Sequence, residues 1–186
     1  VAINPKILWG HYQLARIYFV KGNYKRALEE INRELEANPE NLRSLYVRGL
    51  IYGYRNYPGD LAFAETDFLR FTQWAPREWG GYNDAAWVLS RAGRYQEAKN
   101  TILRALREVP DAGKNPRLWN SLRVAELNLN EYQEAEEAFT RADELAARLS
   151  LADWHKAYPG NNPAEAAAGL EAFRNAIQTN LERARR

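Results

Sequence analysis

Histidine is the side chain most suited to acid–base and metal chemistry near neutral pH, and the chain has two, His11 and His155. They lie near opposite ends of the sequence, so the close helical spacing of a two-His metal motif is absent. Cys is absent too, which removes disulfides, thiolate metal sites and Cys nucleophiles. No Gly-rich phosphate loop, nucleophile elbow or zinc-protease helix motif occurs. Carboxylates gather at Glu29-Glu30, Glu134, Glu136-Glu137 and Glu144. They recur on segments patterned as helices, where an outward, solvated face accounts for them. The expectation is a protein that is no enzyme, with no cofactor and no metal.

Recognition chemistry remains. Twenty of the 26 basic residues are Arg, and they sit among 6 Trp and 11 Tyr. Arg, Trp and Tyr are the residue types that carry binding hot spots. The 24 acidic residues leave a formal net charge of only +2, so a general polyanion binder is not expected and nucleic acid is excluded as a partner. No stretch of apolar residues is long enough to span a bilayer, so membrane insertion is not expected. Lack of Cys fits cytoplasm or periplasm equally. With 46% hydrophobic and 27% charged residues in 186, the chain has the matter for a core and the length of one domain or a short repeat array.

The elements that must position these side chains show in a repeat. Pro5, Pro39, Pro76 and Pro110 are separated by 34, 37 and 34 residues. Ala27, Ala64, Ala98 and Ala135 are separated by 37, 34 and 37. A second marker precedes each alanine: Gly22, Gly59, Gly93 and Asn130. Three markers thus recur in one phase. The three-residue excesses fall in Arg55–Gly59 and Asp111–Pro116, where loops absorb insertions at small entropic cost.

Within a unit the pattern is helix, turn, helix. Trp9, Leu14, Ala15 and Tyr18 are apolar at helical spacing. Gly22-Asn23 breaks that helix, and Asn23 is placed to cap the next. The second helix carries Tyr24, Ala27, Leu28, Ile31 and Leu35 and stops at Asn38-Pro39. The short alanines are expected where helices cross, and enlarging one would cost about 1–3 kcal/mol by overpacking.

These units resemble tetratricopeptide repeats. The resemblance rests on Leu14-Ala15, Tyr18, Gly22, Tyr24, Ala27 and Pro39 in the first unit, and on Arg48-Gly49, Tyr52, Gly59, Ala64 and Pro76 in the second. The third unit matches at Ala85-Ala86, Leu89, Gly93, Tyr95, Ala98, Ala105 and Pro110, and the fourth at Trp119, Leu122, Tyr132, Ala135, Phe139 and Ala142. Arg123 stands where the family has a small residue and Ala147 where it has Pro, which puts close packing there in question. The resemblance implies an all-α, right-handed superhelical solenoid of antiparallel helix pairs. Its parts would be the tail of a preceding repeat at 1–7, repeats at 8–41, 42–78, 79–115 and 116–149, and a degenerate repeat with a capping helix at 150–186.

Both ends carry expectations. The opening Val1–Pro5 reads as the end of an earlier repeat, so the chain is expected to be a piece or processed form of a longer protein. An uncapped first repeat leaves an apolar face, which predicts an upstream repeat or self-association through the Val1–Tyr24 end. Near the other end, 149–158 is expected to be a short helix closed by Pro159-Gly160-Asn161. Asn162-Pro163-Ala164-Glu165 signals a further helix start, followed by an apolar stripe at Ala166, Leu170, Phe173, Ile177, Leu181 and Ala184. Glu171, Arg174, Gln178 and Glu182 would form its wet face, with Arg183, Arg185 and Arg186 at its end.

In the resembled family the first helix of each unit lines a concave groove for a peptide or partner helix. Carried over, that groove comprises Trp9, Tyr12, Gln13 and Arg16; Arg43, Tyr46, Val47, Leu50 and Tyr54; Asn83, Asp84, Trp87 and Arg91; and Arg117, Asn120, Ser121 and Val124. The Asn amides would grip a peptide backbone, and Arg16, Arg43, Arg91 and Arg117 would favour an acidic segment. One subclass clamps a C-terminal carboxylate of chaperones with Lys, Asn and Arg. The matching positions hold Tyr12, Arg16, Val47, Gly80 and Asp84, and Tyr12, Val47 and Asp84 do not fit that clamp. The implied function is a non-catalytic scaffold binding a protein or peptide partner. The alternative is an assembly unit forming a homo-oligomer through its N-terminal repeat face.

Overall fold

The computed structural model describes residues 9–157 and 166–184. No strand occurs among them. The helices are α1 (Gly10–Val20), α2 (Tyr24–Ala37), α3 (Leu42–Arg55), α4 (Asp60–Trp74), α5 (Trp79–Arg91), α6 (Tyr95–Glu108), α7 (Pro116–Asn128), α8 (Tyr132–Ala147), α9 (Leu151–Ala157) and α10 (Ala166–Ala184). The chain divides into two compact units, Val1–Arg94 and Tyr95–Arg186. In the first, α1 packs on α2, α2 on α3, α3 on α4 and α4 on α5. In the second, α6 packs on α7 and α7 on α8, while α10 packs on α8 and α9. The connections between successive helices from α1 to α8 are short, which makes those neighbours antiparallel. The chain is all-α, built of consecutive packed helix pairs.

The turn markers of the sequence share one backbone state. Gly22, Gly59, Gly93 and Asn130 have φ of 71°, 87°, 75° and 62°, the left-handed region that glycine enters freely and Asn tolerates. Three of them close a helix with the same long bond. Asn23 N–H donates to Tyr18 O (2.9 Å), Arg94 N–H to Leu89 O (2.9 Å) and Glu131 N–H to Glu126 O (3.0 Å). These long returns satisfy carbonyls that the helix end leaves open. Asn23 then caps α2, its side chain accepting from Arg26 N–H at 3.2 Å.

Both insertions are pinned. After Arg55 the chain turns through Asn56 at φ 52°, and the Arg55 guanidinium grips Asp60 with two bonds of 2.6 and 2.8 Å. The Tyr57 N–H adds a third at 2.8 Å. Arg55 above all holds the Asp60 carboxyl below its ordinary pKa. The second insertion forms a short 3₁₀ turn at Ala112–Lys114, and the Trp119 indole N–H donates to Gly113 O at 2.9 Å.

Ala27, Ala64, Ala98 and Ala135 are completely buried. Arg123, where a small residue was expected, is completely buried as well. Its guanidinium lies 5.9 Å from the Phe139 ring. Leu170 and Ile177 of α10 are buried, and Ile177 packs with Phe139, Ala142 and Ala146 of α8. Arg174 corrects one expectation. Its guanidinium leaves the wet face of α10 and donates to the carbonyls of Ala146, Ala147 and Leu149 at 3.1, 3.3 and 2.9 Å, capping the C-terminal end of α8. The expectations placed on Val1–Pro5, on Pro159–Glu165, on the side chains of His155, Ala166 and Leu181–Ala184, and on Arg185 and Arg186 lie outside the described residues.

Candidate functional site

In the first unit, α1, α3 and α5 are the first helices of successive pairs, and each touches the next. Their side chains build a continuous ladder. The Phe19 ring of α1 meets Tyr54 of α3 edge-on at 5.5 Å. Tyr54 meets Trp87 of α5 at 5.0 Å. The Arg91 guanidinium lies 5.5 Å from the centre of the Trp87 ring and donates to Gly53 O at 2.9 Å. Tyr54 stays 55% exposed, so the ladder forms a surface. Its backing depends on Gly53, where the Trp87 ring lies against the α3 backbone.

A second group forms at the other end of these helices. Trp9 meets Tyr12 edge-on at 5.6 Å. Arg43 lies 5.7 Å from the Trp9 ring and Arg16 lies 5.6 Å from the Tyr12 ring. Arg16 also donates to Gln13 Oε1 at 3.3 Å. A cleft of about 670 Å³ opens between Trp9, Arg43 and the α2–α3 turn. Its buried carboxylate, Glu34, accepts from Tyr12 N–H (3.3 Å), Asn38 (3.1 Å) and Asn41 (3.2 Å). Stacking a guanidinium on a ring fixes its plane while leaving N–H groups at its edge for a carboxylate.

Between the two groups the surface is polar. The Tyr46 hydroxyl of α3 donates to Asp84 Oδ2 of α5, and Asn83 donates to Asp84 Oδ1 at 3.0 Å. Burial pushes the Asp84 carboxyl up to about 6, against the opposing pull of both donors. Leu50 is half-buried and packs on the Ala64–Phe68 cluster. Asp84 is therefore engaged in holding α3 to α5 and offers little to a ligand.

The structure corrects three surface assignments. Tyr12 and Val47 are buried in the α1–α3 core. Arg117 of α7 is buried at 6% exposure, its guanidinium 4.6 Å from the Trp154 ring of α9 and 5.6 Å from Phe173 of α10. Asn120 accepts from Arg123 Nη2 at 2.8 Å, which ties one amide expected to grip a peptide. Ser121 and Val124 are half-buried. The second unit thus keeps little of the aromatic and arginine surface that the first presents. Phe19 and Gly53 belong to the ladder and are absent from the sequence-derived set. Phe19 follows Arg16 by three positions, the spacing that puts two residues on one helix face.

His11 pairs with Glu30, its Nδ1 lying 2.6 Å from Oε2, a structural contact between α1 and α2. Among the described residues no group of three or more His, Asp or Glu side chains is placed to hold a metal ion. No described helix is long and apolar enough to cross a membrane.

Comparisons place this geometry. Tetratricopeptide repeat family models match residues 9–41 and 83–150. No curated protein sequence matches. Among solved structures, a crystal structure of MamA protein superposes with a TM-score of 0.65 at 16% identity, covering 94% of this chain and 87% of that one. A MamA from Desulfovibrio magneticus RS-1 gives 0.64 at 16% identity, with 89% and 94% covered. The AMB-1 MamA gives 0.60 at 23% identity, with 75% and 73% covered. At such identities the likeness is one of fold. The chain belongs to the tetratricopeptide repeat family, whose helix pairs serve as protein-interaction scaffolds.

Proposed function

We propose that the chain is a non-catalytic scaffold that binds a peptide segment or helix, one with an acidic stretch, on the surface of α1, α3 and α5. The parts are read as the tail of a preceding repeat at 1–7, repeats at 8–41, 42–78, 79–115 (with a linker) and 116–149, and a degenerate repeat with a capping helix at 150–186. The observation that carries the reading is the Phe19–Tyr54–Trp87 ladder with Arg91 stacked on its end. Large aromatics beside an ordered guanidinium are the side chains that hot spots use, and an apolar core with a charged edge suits an acidic, apolar ligand. A test is capture of binding proteins on the immobilised chain, compared with the double variant Trp87→Ala, Arg91→Ala. Equal helicity with at least about tenfold weaker capture, the loss of about 1.4 kcal/mol, supports the assignment. Undiminished capture refutes it.

A second reading has its own observation. Ile17 and Val20 of α1 are 50% and 77% exposed, which suits self-association through the first repeat. Size measured across a dilution series, with Val20→Asp beside the wild type, tests it. A monomer at every concentration removes this reading and leaves the first intact.

A further inference from the structure

The outward face of α4 differs in chemistry from that of α2 and α8. On α2 the exposed residues include Lys25, Arg26, Glu29, Arg33 and Glu36; on α8 they include Glu134, Glu136, Glu137, Arg141 and Glu144. Such charged faces are the ordinary solvated side of a helix. On α4 the exposed stripe is Phe63, Thr66, Leu69, Arg70, Gln73 and Trp74. Phe63, Leu69 and Trp74 are 57%, 42% and 47% exposed, and Tyr57, just before the helix, is 64% exposed.

The charge of this face is set by what α4 keeps to itself. Its three carboxylates all have arginine partners. Asp60 binds Arg55 at 2.6 Å, Asp67 binds Arg48 at 2.7 Å, and Glu65 pairs with Arg94. Arg70 remains, lying 5.8 Å from the Trp74 ring and without a carboxylate partner among the described residues. The stripe is therefore apolar, aromatic and positively charged.

We propose that this face docks an amphipathic helix of a second protein, one whose apolar stripe is flanked by carboxylates. Two arguments select that occupant. Charge complementarity favours an acidic flank opposite Arg70. The exposed parts of Tyr57, Phe63, Leu69 and Trp74 amount to roughly 400 Å² of side-chain surface, taking ordinary areas for such residues. A patch of that size matches one helix laid along another, with apolar anchors at i, i+3, i+4 and i+7. This docking face is separate from the α1–α3–α5 surface, and the failure of either leaves the other standing.

The test uses two helical peptides of about five turns that share one Leu/Phe stripe and differ only in flanking Glu or Lys. Each is titrated into the isotope-labelled full chain. The Glu peptide is expected to shift the signals of Phe63, Leu69, Arg70 and Trp74 and to bind at least about fivefold tighter than the Lys peptide, the worth of one exposed ion pair. Arg70→Glu, an exposed change that leaves the fold intact, should reverse that order. Equal binding of the two peptides, no binding of either, or shifts confined to Tyr54, Trp87 and Arg91 would overturn the proposal. A dimer that dissolves on Leu69→Asp would overturn it too, by assigning the face to a second copy.

Discussion

Gly53 leaves the space that the Trp87 ring occupies: a Cβ at Gly53 would stand 2.5 Å from Cζ3 of the indole. The bare backbone of α3 at this point lets the Trp87 ring of α5 sit between Tyr54, at an interplanar angle of 45°, and Arg91. Gly53→Ala tests this dependence. Alanine favours a helix interior over glycine by about 1 kcal/mol, so an open site would be stabilised by the change. Overpacking against a held ring costs about 1–3 kcal/mol, and Trp87 is held on its other faces. The variant is expected to melt at a lower temperature, with an altered near-ultraviolet circular dichroism signal from the displaced indole. A higher melting temperature with an unchanged spectrum would show that the ring moves freely.

Arg123 is a buried, poorly paired cation in the second unit. It is completely buried, and Asn120 accepts from Nη2 while Nε and Nη1 have no hydrogen-bond partner. Burial alone pulls its pKa down to about 10, the mark of a cation kept from water. Removing a buried, poorly paired charge in favour of an apolar side chain of similar length is neutral or stabilising by about 1–4 kcal/mol. Arg123→Met is therefore expected to raise the midpoint of chemical denaturation. A loss of stability above about 1 kcal/mol would mean that the guanidinium holds α7 to its neighbours more than its desolvation costs.

How far the fold is legible in the sequence follows from which signals are local. The left-handed turns at Gly22, Gly59, Gly93 and Asn130 obey a backbone rule carried by one residue, and the spacing of the alanines reports helix crossings directly. The placement of Arg117 and Arg174 is not local. Arg117 is covered by Trp154 and Phe173, residues more than a repeat away, and periodicity on α7 cannot anticipate them. Arg174 sits on the polar side of a regular stripe, yet it reaches the open carbonyls at the end of α8. A long side chain near a helix terminus reads as solvated until its neighbour is known. The site divides in the same way. Tyr54, Trp87 and Arg91 follow from the repeat phase, whereas the burial of Tyr12 depends on how α1, α2 and α3 converge.

The second unit carries a pH response. Glu126 is 4% exposed, and burial pushes its carboxyl up to about 7, although Lys99 at 3.6 Å pulls the other way. In the unfolded chain a Glu titrates near ~4.3. Below that value both states hold the proton and Glu126 costs nothing. As pH rises from about 4.5 to about 7, the unfolded chain releases its proton first, so folding stability falls across that window, by an amount on the order of 3 kcal/mol. In the first unit Asp84, raised to about 6 by burial, brings a loss of the same sign. Denaturation midpoints measured from pH 4.5 to 7.5 should decline less steeply in Glu126→Gln than in the wild type. Parallel curves would show that Glu126 keeps an ordinary pKa.

The proposed recognition surface lies on α1, α3 and α5 of the first unit. Hydrogen exchange of the chain, alone and with its captured partner, reads that surface directly. Slowed exchange should concentrate in α1, α3 and α5 around Phe19, Tyr54, Trp87 and Arg91, and Trp87→Ala with Arg91→Ala should abolish it. Protection confined to the exposed faces of α2, α6 and α8, with α1, α3 and α5 unchanged, would place recognition elsewhere on the chain.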